Sequence, residues 1–197
     1  MTNKDKDYSN YLQTRRWSGF IYRYLFVYPF FLKYLGKNNF DYGCGVGDFL
    51  KFAKIFKKKI IGLDVNKENL KICQNRLCSV DLILPKKKYF DSKKNSADCI
   101  ILDNVLEHIA SPKEIIEDIH DGLKPNGKLI VGIPVGEKGY HSDPDHKIYY
   151  DENDLSNLIS PHGFKKNIEF YRPLNNSWIR KNMKQFCYYA VYSKALT

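Results

Sequence analysis

The chain has 197 residues, 43% of them hydrophobic and 27% charged, a balance that suits one globular domain and excludes wholesale disorder. The formal net charge is +10 and the sequence pI about 9.2, but 26 of the 32 basic residues are lysine. A compositional bias therefore accounts for the charge better than a surface of arginine forks built to grip phosphate, with polyanion binding as the alternative. Five cysteines, an odd number with no Cys-x-x-Cys pair, argue for free thiols in a reducing compartment and against a zinc cluster.

The opening MTNKDKDYSN lacks the apolar core of a signal peptide, so a soluble, cytoplasmic protein is expected. The most hydrophobic segment, FIYRYLFVYPFFLKYL at 20–35, is shorter than a membrane span and is interrupted by Arg23, Pro29 and Lys33. It reads as a helix broken near Pro29 and packed on the domain's edge; a membrane-surface helix is the alternative. Residues 1–37 thus read as an N-terminal helical and aromatic cap, ahead of a main domain at 38–197.

Strand and helix signals then alternate, the mark of an α/β domain. Phe40–Asp41 end a short strand, and Asp48–Phe56 reads as a helix with Phe49, Phe52, Ala53 and Phe56 on one face. IIGLDV at 60–65 is a buried strand. Asn66 is placed to cap a helix in which Leu70, Cys73 and Leu77 recur at helical spacing. VDLIL at 80–84 and ADCIILDNV at 97–105 hold the next strands. Ser111-Pro112-Lys113-Glu114 has the form of a capping box, with Ile115, Ile116, Ile119 and Leu123 as the buried stripe of the helix it opens. Lys124-Pro125-Asn126-Gly127 stops that helix before the strand KLIVGIP at 128–134. A polar loop leads to a helix over Glu152–Ser160, ended by Pro161 and Gly163. The last two β-rich runs, FKKNIEFY and QFCYYAVYS, are joined by a loop that fits an antiparallel pair.

The chemistry concentrates in DYGCGVG, residues 41–47. A strand that turns into a helix through glycines lets a ligand lie against the main chain. The dinucleotide fingerprint G-x-G-x-x-G/A is not met, because its third position falls on Asp48 from Gly43 and on Leu50 from Gly45. Asp41 and Asp48 at the mouth of the loop would repel a pyrophosphate and favour a ligand carrying positive charge. An amino acid joined to a nucleoside fits: its ammonium takes one carboxylate and its ribose a second. Asp64, 21 residues beyond Gly43 at the end of IIGLDV, supplies that second acid.

On these residues the chain resembles class I S-adenosylmethionine-dependent methyltransferases, in the small-molecule branch (types 11 and 23). DYGCGVG is similar to the first motif of that family, IIGLDVN to the second, NSADCIILDNVLEHIASP to the strand-four motif with its V-L-E-H-I continuation, and LKPNGKLIVGIP to the turn and fifth strand. HKIYYDENDLSNLISPHGF resembles the H-x-x-x-Y segment before strand six. The likeness covers about residues 38–192. It implies a Rossmann-like, doubly wound, seven-stranded sheet, mostly parallel with one antiparallel strand. It implies S-adenosyl-L-methionine as cofactor, with Asp41, Gly43, Gly45 and the loop at Cys44 along its methionine half, and Asp64 with Val65 at its ribose. Asp81 stands for the residue flanking the adenine, although the spacing after the third strand departs from the family. Backbone near Leu102 and Asp103 would approach the sulfonium.

Transfer from a sulfonium needs alignment more than covalent help, and a base matters if the acceptor is a hydroxyl. Asp103, His108 and His146 are the catalytic candidates, with His141 a further histidine in a polar loop. His108 either packs the turn after strand four or serves the reaction; His146 either faces the acceptor or ties its loop down. His141, Asp143 and His146 can be drawn as metal ligands, but the spacing is irregular and the transfer requires no metal, so none is expected. Trp17 and Tyr22 read as packing or as a lid, and Arg172, Trp178 and Arg180 as surface or as acceptor contacts.

No N/D-P-P-Y turn follows strand four, where the chain reads DNVL, and Cys99 follows Asp98 rather than a proline, so the amino-group and cytosine-C5 DNA methylase patterns are absent. The lysine clusters form no continuous track. The expected function is methyl transfer to a small molecule at oxygen: a sugar, a lipid-like intermediate or another metabolite. The alternatives are an RNA- or protein-directed methyltransferase, and a cofactor-binding module without turnover.

Overall fold

A computed structural model describes residues 21–85, 88–136, 143, 145–183 and 186–195. Seven strands form a sheet in the order β3-β2-β1-β4-β5-β7-β6. They are β1 (Asn39–Tyr42), β2 (Ile61–Leu63), β3 (Asp81–Ile83), β4 (Ala97–Asp103), β5 (Leu123–Pro134), β6 (Phe164–Arg172) and β7 (Cys187–Lys194). β1, β2 and β3 pair in parallel, as do β4 and β5, whereas β7 runs antiparallel to both β5 and β6. The expected doubly wound sheet with one reversed strand is therefore present. The chain divides into two compact units, Met1–Lys87 and Lys88–Thr197.

In the first unit a π-helical turn, Arg23–Val27, runs into α1 (Tyr28–Leu32). Pro29 sits in the first turn of α1, where its missing N–H costs nothing, so the expected break is instead a change of helix type. Tyr28 and Phe31 are buried against Phe49, at ring-centroid distances of 5.1 and 5.3 Å. Phe49, Leu50, Phe52 and Ala53 are the buried residues of α2 (Asp48–Ile55). Phe56, expected on that face, lies past the last turn and is exposed. α3 (Lys67–Leu77) starts as anticipated at Asn66, whose side chain accepts from the N–H groups of Glu68 and Asn69, a cap worth about 1 kcal/mol.

The second unit carries a 3₁₀ turn, Leu106–His108, after β4, followed by α4 (Lys113–Gly122), α5 (Glu152–Ile159) and α6 (Ser177–Asn182). α4 begins after Pro112 with no side-chain cap hydrogen bond, so the Ser111 capping box does not form. Ile116, Ile119 and Leu123 are fully buried, and Ile115 lies at the margin of that stripe. β5 starts five residues earlier than expected: Leu123 pairs with Ala97, and the ladder then bulges over the Lys-Pro-Asn-Gly turn before resuming at Lys128 opposite Cys99. The Lys194 ammonium donates to the carbonyls of His120 and Leu123 at 2.7 and 2.9 Å, closing the C-terminus of α4. β7 is buried along its whole length, as suits an aromatic and β-branched run between two neighbours, while β6, the edge strand, exposes Lys165 and Lys166. Sequence reasoning missed α6, a six-residue helix capped by Asn176.

Candidate active site

The register of β1 on β2 sets Tyr42 beside Leu63, so the glycine loop and Asp64 leave the C-terminal ends of adjacent strands together. The loop has Gly43, Gly45 and Gly47 at φ of +85°, +55° and +84°, conformations that side chains resist. A Cβ on Gly47 would meet the Cys73 sulfur at 2.3 Å. The loop's N–H groups turn inward. Gly43 and Cys44 both donate to the Leu63 carbonyl, at 2.7 and 3.0 Å, Gly45 donates to Asp64 Oδ2 at 2.8 Å, and Gly47 donates to the Cys44 carbonyl at 3.0 Å. A phosphate cradle needs such groups aimed outward. The glycines here offer close approach to main chain instead of an anion nest.

Asp64 is buried and held on both oxygens. Oδ1 accepts from the N–H of Asn66 at 2.8 Å and from Asn69 Nδ2 at 3.3 Å; Oδ2 accepts from Gly45 and has a second lone pair with which to accept from a hydroxyl. Burial pushes its carboxyl above the usual range, against the pull of those three hydrogen bonds. Asp41, on β1, is buried too. Asp48 is not a free charge at the loop: Arg76 donates to its Oδ1 at 2.9 Å and to the Val46 carbonyl at 2.8 Å. The preference expected for a cationic ligand is therefore not carried by Asp48.

Three cofactor candidates need correction or refinement. Asp81 opens β3 opposite Ile61, the first residue of β2, and so lies at the other end of these strands from Asp64; it is exposed and pairs with Lys59 at 3.4 Å. The residues level with Leu63 and Asp64 are Ile83, whose carbonyl accepts the Asp64 N–H, and Leu84 beyond it. The Cys44 thiol is buried in a cluster with Leu50, Cys73 and Leu77, so only its main chain is available to a ligand at the loop. Val65 is 77% exposed, immediately beyond Asp64.

In the second unit Leu102 is fully buried in β4, and Asp103 ends that strand with Oδ1 accepting the Tyr189 hydroxyl at 3.3 Å. The 3₁₀ turn that follows carries Glu107, 1% exposed, and His108. Lys147 and Ile148 donate their N–H groups to the Glu107 carbonyl at 2.7 and 3.2 Å, which pins the segment bearing His146 to this turn. The His108 and His146 rings lie 4.8 Å apart. His146 Nε2 is 3.9 Å from Glu107 Oε1 and 3.9 Å from Asp143 Oδ2. Burial, then the neighbouring His146, lowers the pKa of His108 and favours its neutral ring. Glu107 is the residue the sequence reading passed over; its only signal was its place in V-L-E-H-I. His141 and Trp17 lie outside the described residues. Trp178 is exposed, Arg180 pairs with Glu152 at 3.3 Å, and the Arg172 guanidinium stacks over Phe170.

A family described as "Methyltransferase domain" matches residues 14–169. The chain belongs to the methyltransferase-domain family. Among curated proteins, it is 33% identical over 135 residues to an uncharacterised protein of Methanocaldococcus jannaschii, covering 64% of this chain and 63% of that one. It is 31% identical over 100 residues to the ubiquinone/menaquinone biosynthesis C-methyltransferase UbiE of Wigglesworthia glossinidia brevipalpis, covering 46% of this chain and 40% of that one. It is 28% identical over 105 residues to the mitochondrial ubiquinone biosynthesis O-methyltransferase of Mus musculus, covering 49% and 28%. The matched part spans less than two thirds of the length of these relatives. Solved SAM-dependent methyltransferases from Methanosarcina mazei and Archaeoglobus fulgidus share the fold at 18% identity. The first has a TM-score of 0.70 over 88% of this chain and 100% of that one, the second 0.69 over 84% and 90%.

S-adenosylmethionine is the cofactor named for both of these solved methyltransferases. The residues fit it. Asp64 keeps acceptor capacity for a ribose hydroxyl, the loop withholds its N–H groups from phosphate, and positive-φ glycines clear the approach.

Proposed function

We propose that the chain transfers the methyl group of S-adenosylmethionine to an oxygen of a small-molecule acceptor. When bound, the cofactor supplies a methyl already activated by a cationic sulfur, so the protein's task is alignment. The main chain of residues 43–45, with Asp41, lies along the methionine half in this reading, Asp64 and Val65 hold the ribose, and the main chain of Leu102–Asp103 approaches the sulfonium. Asp103, His108 and His146 serve the acceptor side, where a hydroxyl needs a partner to take its proton.

The observation that carries this reading is the double use of Asp64, which braces the glycine loop through Gly45 and still has capacity for a hydroxyl. Relatives named as ubiquinone-biosynthesis methyltransferases support a small acceptor, and one of them is named for transfer to oxygen. The test has two steps: calorimetric binding of S-adenosylhomocysteine, then transfer of labelled methyl to a panel of hydroxylated small molecules, with RNA and protein in parallel. Label in the small molecules is the expected result. Label in RNA or protein alone overturns the acceptor class, and tight binding without transfer to anything overturns the enzymatic reading.

A further inference from the structure

The second unit gathers a set of side chains that transfer from a sulfonium does not itself require. One ligand atom each from Glu107, His108 and His146 lies within 4.8 Å of the others. Asp143 adds a second carboxylate, 3.9 Å from His146 Nε2. Glu107 is buried, and the side chains of His146 and Asp143 are only 7% and 11% exposed.

We infer that Glu107, His108 and His146 form a divalent-cation site, with Asp143 positioned to join as a fourth ligand. Two imidazoles and a carboxylate make a borderline donor set of the kind that takes zinc, cobalt or manganese; calcium and magnesium prefer oxygen alone. His108 Nδ1 lies 3.3 Å from the Asp145 carbonyl. A carbonyl only accepts, so that contact calls for Nδ1–H and leaves Nε2 as the nitrogen able to ligate, the outer-shell arrangement that metal-binding histidines use. The frame is stiff on both sides: Glu107 and His108 share one 3₁₀ turn, and the two bonds to the Glu107 carbonyl hold the His146 segment against it. Bound donors sit about 2.0–2.2 Å from zinc, so binding draws the three inward by side-chain rotation. With three protein ligands and an open position, the cation acts as a Lewis acid toward an acceptor oxygen, so the two histidines serve the acceptor through it and Asp103 is left to take the proton. This role rests on the proposed transfer to oxygen; the cation site itself does not. The sequence offers His141, Asp143 and His146 as a set, but the 37 residues between His108 and His146 hide the pairing that the fold makes.

The test uses the full chain, stripped with a chelator and titrated with zinc, then with cobalt for its visible d–d bands. One equivalent bound per chain, cobalt bands of nitrogen ligation, and a loss of about 100-fold or more in affinity for His108→Ala, His146→Ala and Glu107→Gln are expected, with His162→Ala unchanged. No stoichiometric binding to the unaltered chain overturns the proposal, as does binding that survives His108→Ala and His146→Ala together. S-adenosylhomocysteine binding, measured on the same samples, reads the cofactor half and separates failure of the metal site from failure of the proposed function.

Discussion

The Gly45 N–H donates to Asp64 Oδ2 at 2.8 Å, so the acid that follows β2 also clamps the loop that follows β1. In the proposed reading, cofactor binding and local stability share this one carboxylate. Asp64→Ala is expected to weaken S-adenosylhomocysteine by about 100-fold or more. Loss of a buried acceptor for three donors should also cost the fold about 1–3 kcal/mol. Calorimetry and denaturant unfolding measure the two effects separately; unchanged affinity would refute the ribose assignment.

Gly47 is a second point where backbone conformation decides. Its φ is +84°, and an added Cβ would sit 2.3 Å from Cys73 Sγ. Gly47→Ala should destabilise the protein by roughly 1–3 kcal/mol from the left-handed backbone and the collision. Pairing it with Cys73→Ala should recover the collision part only. Denaturant midpoints of the two variants check this, and equal midpoints contradict the packing argument.

The pH dependence of cofactor binding has a definite sign. Burial raises the Asp64 carboxyl above 3.8, so the folded protein holds this proton more tightly than the unfolded chain does. Its contribution to stability is present below pH 3.8 and is lost as pH rises through the raised folded value. With Asp64 as the proposed ribose acid, cofactor binding runs the other way, because accepting both hydroxyls takes the carboxylate form. Affinity should fall on acidification while the pH is still above 3.8, before an ordinary aspartate would titrate. Calorimetry across that range measures it, and a flat profile down to 3.8 counts against Asp64 as the ribose acid.

The thiols should react in sharply unequal fashion. Cys78 is exposed, whereas Cys44, Cys73, Cys99 and Cys187 are buried. The hydrogen bond with Cys73, then burial, pushes the Cys44 thiol up, and burial does the same to Cys99. An aromatic disulfide reagent should modify one thiol quickly in the native protein and all five after unfolding. Two or more fast native thiols would mean that the core around the glycine loop opens readily.

Much of this protein was legible from local pattern. Alternating strand and helix signals, the cap at Asn66 and the reach from Gly43 to Asp64 all depend on neighbours in sequence, and they led to the sheet, the loop and its acid. The errors also have local causes. Phe56 fits the helical stripe of α2, but the helix ends at Ile55 and leaves the ring outside. Asp81 has the right chemistry on the right strand, but parallel register sets it beside Ile61, at the wrong end.

What the sequence by itself determined is the glycine loop of the first unit and the acid after β2, because a glycine turn and an acid at a strand end are consequences of short-range geometry. Only the tertiary structure decided where the loop's N–H groups point, that Arg76 takes up Asp48, and that Glu107 and His108 meet His146. Those outcomes depend on which strand lies beside which and on how a distant segment is hydrogen-bonded to a turn, and residue spacing along the chain carries no record of either.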